Sequence, residues 1–158
     1  GALMTGSAMQ TMNDRARSAI SEIYACAGTA GPALPFLLAS IAAGFPSPAD
    51  DYIDRMLDLN EFLVRHPAAT FFVRVAGESM IDAGIHPGDI LIVDRSIEPA
   101  DDRIVIAALN GELTVKRIRM ESGRICLAPE NPRFPAIEIT PDMQFEVWGV
   151  VCHVIHRV

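Results

Sequence analysis

Residues 77–94 read Gly-Glu-Ser-Met-Ile-Asp-Ala-Gly-Ile-His-Pro-Gly-Asp-Ile-Leu-Ile-Val-Asp. The segment opens on a turn-forming glycine, passes through a short stretch that ends at Gly84, and finishes in an apolar run typical of a buried strand. Ser79 lies just after the preceding predicted strand, and its hydroxyl has two interpretations. Either it caps a helical turn over Met80–Ala83, or it is a nucleophile at a turn opening, with backbone N–H groups nearby to hold an oxyanion.

The same pattern of short strands and turns continues to the C-terminus. Asn110-Gly111 predicts a type I′ hairpin turn, and His86-Pro87-Gly88-Asp89 predicts another turn. We therefore predict a mainly β fold, a compact twisted β domain with short helices. The predicted strands are Phe71–Ala76, Ile90–Val93, Ile104–Leu109, Glu112–Met120, Arg124–Ala128 and Phe145–Ile155.

The second candidate residue is Lys116, the only lysine among 13 basic residues. Lysine can lose its proton when it is buried, whereas arginine effectively cannot. Strand alternation places Lys116 on one face with Thr114 and Ile118. Its amine is either a solvated surface charge or a buried group, and burial would lower its pKa towards about 7–8, the range of a general base. A neutral lysine can take the hydroxyl proton of a serine, so Ser79 and Lys116 form a candidate catalytic pair.

Composition excludes several function classes. The chain has 158 residues, half of them apolar and 21% charged, so it can bury a core. Its net charge is −7, with an acidic excess in both halves, and this argues against strong direct DNA binding. The three cysteines (Cys26, Cys126 and Cys152) suit neither a disulfide framework nor a zinc site, and a reducing cytoplasm is the simplest location. Cys126 and Cys152 are interpreted as small core residues.

The histidines and aspartates give weaker candidates. His153 and His156 should point to opposite faces of a strand, which makes them a poor metal pair, and His66 and His86 adjoin prolines in turns. A Ser-His-Asp triad remains a minor alternative to the Ser–Lys pair. No metal and no cofactor are predicted. Three aspartates are interpreted as solvated or turn-capping groups: Asp82, Asp89 and Asp94.

The N-terminal part has a different composition from the rest. Gly1-Ala2-Leu3 is typical of an expression scar, and residues 13–27 have the apolar spacing of a short amphipathic helix. No charged residue occurs from Ile23 to Ala49. Glycines and prolines interrupt this stretch, which disfavours a signal peptide or membrane anchor and favours an extended arm. A second helix is predicted over Tyr52–Arg65, ending before a His-Pro pair.

Several motifs, taken together, resemble the LexA/UmuD family of self-cleaving serine peptidases. Gly77-Glu78-Ser79-Met80 resembles the family's nucleophile motif, and Gly111-Glu112-Leu113-Thr114-Val115-Lys116-Arg117 resembles the stretch that ends in its catalytic lysine. Two further stretches are also similar to family motifs, namely Gly84-Ile85 with Gly88–Asp94, and Pro129-Glu130-Asn131. Asp102-Arg103 departs from the pattern, because the family commonly has Gly-Asp there. The resemblance covers about Gly44–Val158.

The chain resembles the UmuD-like branch more than the LexA-like repressors. Only 43 residues precede Gly44, and their glycines and prolines do not suit a winged helix-turn-helix domain. Ala43–Tyr52 is similar to the family's cleavage region, so the resemblance implies a scissile bond between Ala43 and Gly44. The domains expected are an arm of residues 1–43 that cleavage removes, a linker with a short helix over 44–70, and a peptidase domain over 71–158.

The resemblance also implies a function. Ser79 would be the nucleophile, Lys116 the general base, and the backbone amides at Ser79 and Met80 the oxyanion donors. RecA filaments on single-stranded DNA would stimulate self-cleavage in the SOS response. The trimmed homodimer would then act as accessory subunit of a Y-family translesion polymerase. Two alternatives stay open: a non-catalytic dimeric interaction module, and a LexA-like or phage repressor fragment without its DNA-binding domain.

Overall fold

A computed structural model of the chain describes residues 19–26, 33–37 and 53–158, with the backbone alone at 33–37 and 53–56. These residues divide into two compact units, one of 19–26 with 66–158 and one of 33–37 with 53–65. The predicted bond between Ala43 and Gly44 lies outside the described residues, as does the predicted scar at residues 1–3. None of the helices in the described ranges is long and apolar enough to cross a membrane.

The first unit is an antiparallel sheet of eight strands, which confirms the predicted mainly β fold. The strands are β1 (Ile20–Ala25), β4 (Thr70–Val75), β5 (Ile90–Asp94), β6 (Ile104–Leu109), β7 (Glu112–Glu121), β8 (Arg124–Ala128), β9 (Ile137–Glu138) and β10 (Phe145–Ile155). Across the sheet they follow the order β1-β4-β5-β10-β6-β7-β8-β9. The long strand β10 therefore joins the two halves of the sheet, pairing with β5 on one side and β6 on the other.

Both faces of this sheet carry apolar clusters. Strand alternation sends Ile106 into the larger cluster and its neighbours Val105 and Ala107 into the smaller one. The larger cluster also contains Met80 and Ile85, which flank a short 3-10 helix at Ile81–Ala83. These two buried side chains anchor the Ser79-bearing loop to the core.

The predicted turns are confirmed. Asn110 and Gly111 both have positive φ, at 49° and 82°, as a type I′ turn requires. The amide of Asp89 donates to the carbonyl of His86 and closes the second predicted turn. Asp102, where the family commonly has glycine, has a φ of 72°. An aspartate tolerates this left-handed conformation better than most residues, and here its carboxylate accepts a hydrogen bond from Arg119.

The helix predicted over residues 13–27 is wrong in the described part. Residues 20–25 form strand β1, which pairs with β4 at the edge of the sheet. Ile20, Ile23 and Tyr24 suit an amphipathic helix by spacing alone, but the open edge of β4 supplies backbone hydrogen bonds and a buried site for Ile20. The sheet contact therefore overrides the local pattern.

The second unit corrects the other helix prediction. Its strands β2 (Ala33–Leu37) and β3 (Ile53–Asp58) pair antiparallel, and the helix α1 (Leu59–Leu63) follows directly. The carboxylate of Asp58 accepts hydrogen bonds from the amides of Asn60 and Glu61, so it caps α1 and starts the helix seven residues later than predicted. Residues 53–58 of the predicted helix are therefore a strand, and α1 ends at Leu63, two residues before the predicted end at Arg65.

Candidate active site

Ser79 lies in the loop between β4 and β5 and is buried, with 3% of its surface exposed. The predicted capping role is wrong, because the 3-10 helix begins at Ile81 and has Met80 at its N-cap position, without a side-chain hydrogen bond. The predicted end of this helix at Gly84 is confirmed by that residue's left-handed φ of 80°. The hydroxyl of Ser79 is thus available for another contact.

That contact is with Lys116. Its Nζ lies 2.9 Å from Oγ of Ser79, although 37 residues separate the two in sequence. Lys116 lies within β7 and is 8% exposed, so the interpretation as a solvated surface charge is wrong. The two candidate residues are therefore brought together by the pairing of β7 in the sheet and the core anchoring of the Ser79 loop.

The amine of Lys116 has three polar neighbours, all uncharged. Besides Ser79 Oγ, its Nζ contacts Thr114 Oγ1 at 2.8 Å and the carbonyl oxygen of Val115 at 3.1 Å. No carboxylate among the described residues forms an ion pair with it. Burial without a counter-charge lowers the pKa of Lys116 to about 8.

This arrangement accommodates both protonation states of the amine. A protonated amine has three N–H donors, one for each neighbour. A neutral amine has two, which suit Thr114 and Val115, and its lone pair can accept the O–H of Ser79. The same three neighbours therefore stay hydrogen-bonded when the proton moves from the hydroxyl to the amine, and no other group has to rearrange.

The loop that carries Ser79 is held by the segment after β8. The amide of Glu130 donates to the carbonyl of Ser79, and the amide of Asp82 donates to the carbonyl of Glu130, both at 2.8 Å. The side chain of Asn131, which is 5% exposed, donates to the carbonyl of Glu78 at 2.9 Å. The motif that contains Glu130 and Asn131 does not indicate these contacts from sequence alone, because they join residues about 50 positions apart.

Two backbone amides beside Ser79 are without acceptors in the described part of the chain. Those of Ser79 and Met80 donate to none of its hydrogen bonds, whereas the neighbouring amides of Ile81 and Asp82 do. Unused amides next to a buried hydroxyl are the donors that a developing oxyanion requires. The loop and strand β7 thus bring together a buried hydroxyl, an amine with a lowered pKa and two unused backbone amides.

Two of the candidate aspartates lie away from Ser79, at the two ends of strand β5. Asp89 and Asp94 are buried rather than solvated, and both accept hydrogen bonds from backbone amides, so their predicted capping role is confirmed. Each also contacts a histidine, which sequence reasoning missed. The three cysteines are free, and the core interpretation is wrong for Cys152, which is exposed.

Comparison with known proteins identifies a serine peptidase of the LexA/UmuD kind. Residues 35–152 match the family model described as Peptidase S24-like. The chain therefore belongs to the Peptidase S24-like family.

The chain is a UmuD-like member of that family. It is 50% identical to Protein MucA of Escherichia coli over 76% of this chain and 82% of that protein, and 46% identical to Protein SamA of Salmonella typhimurium over 78% and 85%. Identity with the LexA repressor of Paracidovorax citrulli is 37% over 77% of this chain but only 54% of the repressor. The chain thus covers most of the first two relatives and about half of the third.

Proposed function

We propose that this protein cleaves itself between Ala43 and Gly44, with Ser79 as nucleophile and Lys116 as general base. The observation that carries the proposal is the 2.9 Å contact between the Ser79 hydroxyl and a buried amine whose pKa is about 8. At pH 7 about a tenth of such an amine is neutral and able to accept a proton. Membership of a serine peptidase family supports the same assignment.

The reaction has two steps. Lys116 removes the hydroxyl proton as Oγ of Ser79 attacks the carbonyl carbon of Ala43, and the amides of Ser79 and Met80 hold the resulting oxyanion. The protonated amine then donates to the departing nitrogen of Gly44, the peptide bond breaks, and an ester joins residues 1–43 to the serine. Lys116 next activates a water molecule, which hydrolyses this ester and frees the hydroxyl.

The biological role that we propose rests on the UmuD-like relatives. RecA filaments on single-stranded DNA promote the cleavage, and residues 44–158 form a homodimer that assists a Y-family translesion polymerase in the SOS response. In this role, self-cleavage takes place in the cytoplasm. The repressor alternative has less support, because the chain is 46–50% identical to the UmuD-like relatives but 37% identical to the LexA relative.

A mass measurement tests the chemistry. The intact chain is incubated at pH 7 and about pH 9.5, with and without RecA filaments, and its mass is followed for a day. We expect a 115-residue product that begins at Gly44, formed faster at high pH or with filaments. Ser79→Ala and Lys116→Ala should form none. A chain that stays intact even with RecA filaments contradicts the proposal and favours the non-catalytic interaction module, and cleavage that survives Ser79→Ala identifies a contaminating protease.

A further inference from the structure

The described part of the chain contains one group of three metal-ligating side chains, formed by His86, Asp89 and His156. Sheet register brings these residues together. Ile90 of β5 pairs with Ile155 of β10, so Asp89, just before β5, lies beside His156, just after β10. His86 lies in the turn that leads into Asp89. The group is distinct from Ser79 and Lys116, and we call it the His86–Asp89–His156 cluster.

The carboxylate at the centre of the cluster is fixed in place. Asp89 is 2% exposed, and its Oδ2 accepts a hydrogen bond from the backbone amide of His86 at 2.8 Å. Its Oδ1 lies 2.6 Å from Nδ1 of His156, while Nδ1 of His86 lies 3.8 Å from Oδ2. The backbone contact determines the direction of the carboxylate before any ligand arrives.

The imidazole rings of His86 and His156 form the solvent-exposed side of the cluster. Their ring centres are 5.1 Å apart, and the side chains of His86 and His156 are 47% and 46% exposed. One ligating atom from each residue of the cluster lies within 4.8 Å of the others. Ligands at about 2.0–2.2 Å from a tetrahedral zinc ion are separated by about 3.3–3.6 Å. Small rotations of the two half-exposed rings would therefore bring all three atoms to bonding distance.

We propose that the His86–Asp89–His156 cluster binds one divalent transition-metal ion of the zinc type. Two imidazole nitrogens and one carboxylate oxygen suit such borderline ions, whereas calcium and magnesium prefer oxygen ligands alone. Three protein ligands leave a fourth position to water. The bound ion would join the turn before β5 to the end of β10 and would stabilise the folded state by mass action.

The chain provides a matched control at the other end of β5. Nδ1 of His66 lies 2.6 Å from Oδ2 of Asp94, the same distance as in the His156–Asp89 pair. Within the described ranges, no third histidine, cysteine or carboxylate completes this pair to a group of three at ligand distance. His66→Gln therefore removes one histidine from a His–Asp pair that has no third ligand.

The test titrates metal-free, tag-free full chain with Zn²⁺ by calorimetry. We expect one ion per chain, affinity at least about 10-fold weaker in His86→Gln and in His156→Gln, and wild-type affinity in His66→Gln. Zn²⁺ should raise the melting temperature of the wild type and of His66→Gln, but not of His156→Gln. Melting curves without metal establish that each variant is folded.

Two results would overturn the proposal. One is the absence of Zn²⁺ binding to the wild type at millimolar concentration. The other is unchanged affinity in the double variant His86→Gln/His156→Gln, which would assign the ion to the cysteines or to other groups. A direct readout on the wild-type chain is independent of these variants: Zn²⁺ should shift the imidazole proton resonances of His86 and His156 and leave those of His66 unchanged. Unshifted resonances of the first two would also contradict the site.

Discussion

Two polar pairs in this protein, each built on a buried strand residue, have similar geometry and opposite electrostatics. In the first, the hydroxyl of Ser79 meets the amine of Lys116 at 2.9 Å, and in the second, Nδ1 of His66 meets the carboxylate of Asp94 at 2.6 Å. Lys116 and Asp94 are both buried residues on strands of one sheet, with 8% and 4% of their surfaces exposed. Burial alone therefore does not distinguish the two sites.

The neighbours of the charged group make the difference. Burial would raise the pKa of Asp94, but hydrogen bonds from Ser96 and His66 outweigh it and lower the pKa. Lys116 has only two hydroxyls and a carbonyl around its amine, so burial is not compensated and its pKa falls to about 8. Asp94 is thus a stabilised charge, whereas Lys116 is a group that readily gives up its proton. This comparison predicts chemistry at the first pair and structural stabilisation at the second.

The largest expected effect is on self-cleavage. Ser79→Ala removes the nucleophile and Lys116→Met the base, and each should reduce the rate by at least about 10²–10⁴-fold. Lys116→Arg should be equally inactive, because arginine keeps the positive charge but does not lose its proton. The measurement is the first-order rate of product formation, followed by mass.

His66→Gln is the matched control for these variants. It breaks a contact of similar length in the same sheet and should cleave at the wild-type rate. Comparable losses in His66→Gln and Lys116→Met would mean that both act through folding, and the distinction between the two pairs would no longer hold.

The pH dependence of cleavage is the next largest effect. Only neutral Lys116 accepts a proton, so the rate should rise about tenfold per pH unit below the pKa of about 8 and level off above it. Rates of the intact chain between pH 6 and 10 give this profile. A profile that is flat from pH 6 to 8 would contradict a base with this pKa.

Lys116→Met should raise the free energy of unfolding, although it removes the activity. Lowering a lysine pKa from 10.5 to about 8 disfavours the charged form by about 3 kcal/mol. In the Ser79→Ala background, Lys116→Met removes this cost and loses two hydrogen bonds, to Thr114 and Val115, of about 1 kcal/mol each, so we expect a net gain of about 1 kcal/mol at pH 7. Urea unfolding of the two inactive variants Ser79→Ala and Ser79→Ala/Lys116→Met measures it without self-cleavage.

The direction in which this gain in stability changes with pH gives a second check. Between the folded pKa of about 8 and the unfolded value of 10.5, the folded state binds fewer protons than the unfolded state. The protein that retains Lys116 therefore becomes more stable as pH rises through this range, and the advantage of the Met variant should shrink. An advantage that stays constant from pH 7 to 10.5 would show that the lysine is not titrating from a buried position.

The smallest effect is expected at the second pair. Asp94→Asn should lower the free energy of unfolding by about 1 kcal/mol at pH 7, because it weakens charge-assisted hydrogen bonds. The folded pKa of Asp94 is lowered, so its contribution is present above the unfolded pKa and is lost as pH falls through the folded value. The difference between Ser79→Ala and Ser79→Ala/Asp94→Asn should therefore narrow below about pH 4. A difference that widens in acid would contradict the assignment of Asp94 as a stabilised charge.

Much of the site could be predicted from the sequence, because each of its two central residues is marked by a feature of the sequence that does not depend on the other. Ser79 lies two residues after Gly77, near the end of a strand, and Lys116 is the only lysine of the chain, so each residue is recognisable without its partner. The contacts that hold the site were not predictable in this way. The side chain of Asn131 holds the Ser79 loop by donating to the carbonyl of Glu78, 53 residues earlier in the chain. Nothing in the local pattern of either residue indicates the other.

The amino-acid sequence by itself determined strands β6, β7, β8 and β10, the type I′ turn at Asn110-Gly111 and the identity of the two candidate residues. Turn chemistry and alternation act between near neighbours, and these are written in the order of residues. The tertiary structure decided that residues 20–25 form a strand, that the amine of Lys116 is buried, and that His86 and His156 meet at Asp89. Edge pairing, desolvation and sheet register act between segments far apart in the chain, so they exist only once the sheet has formed.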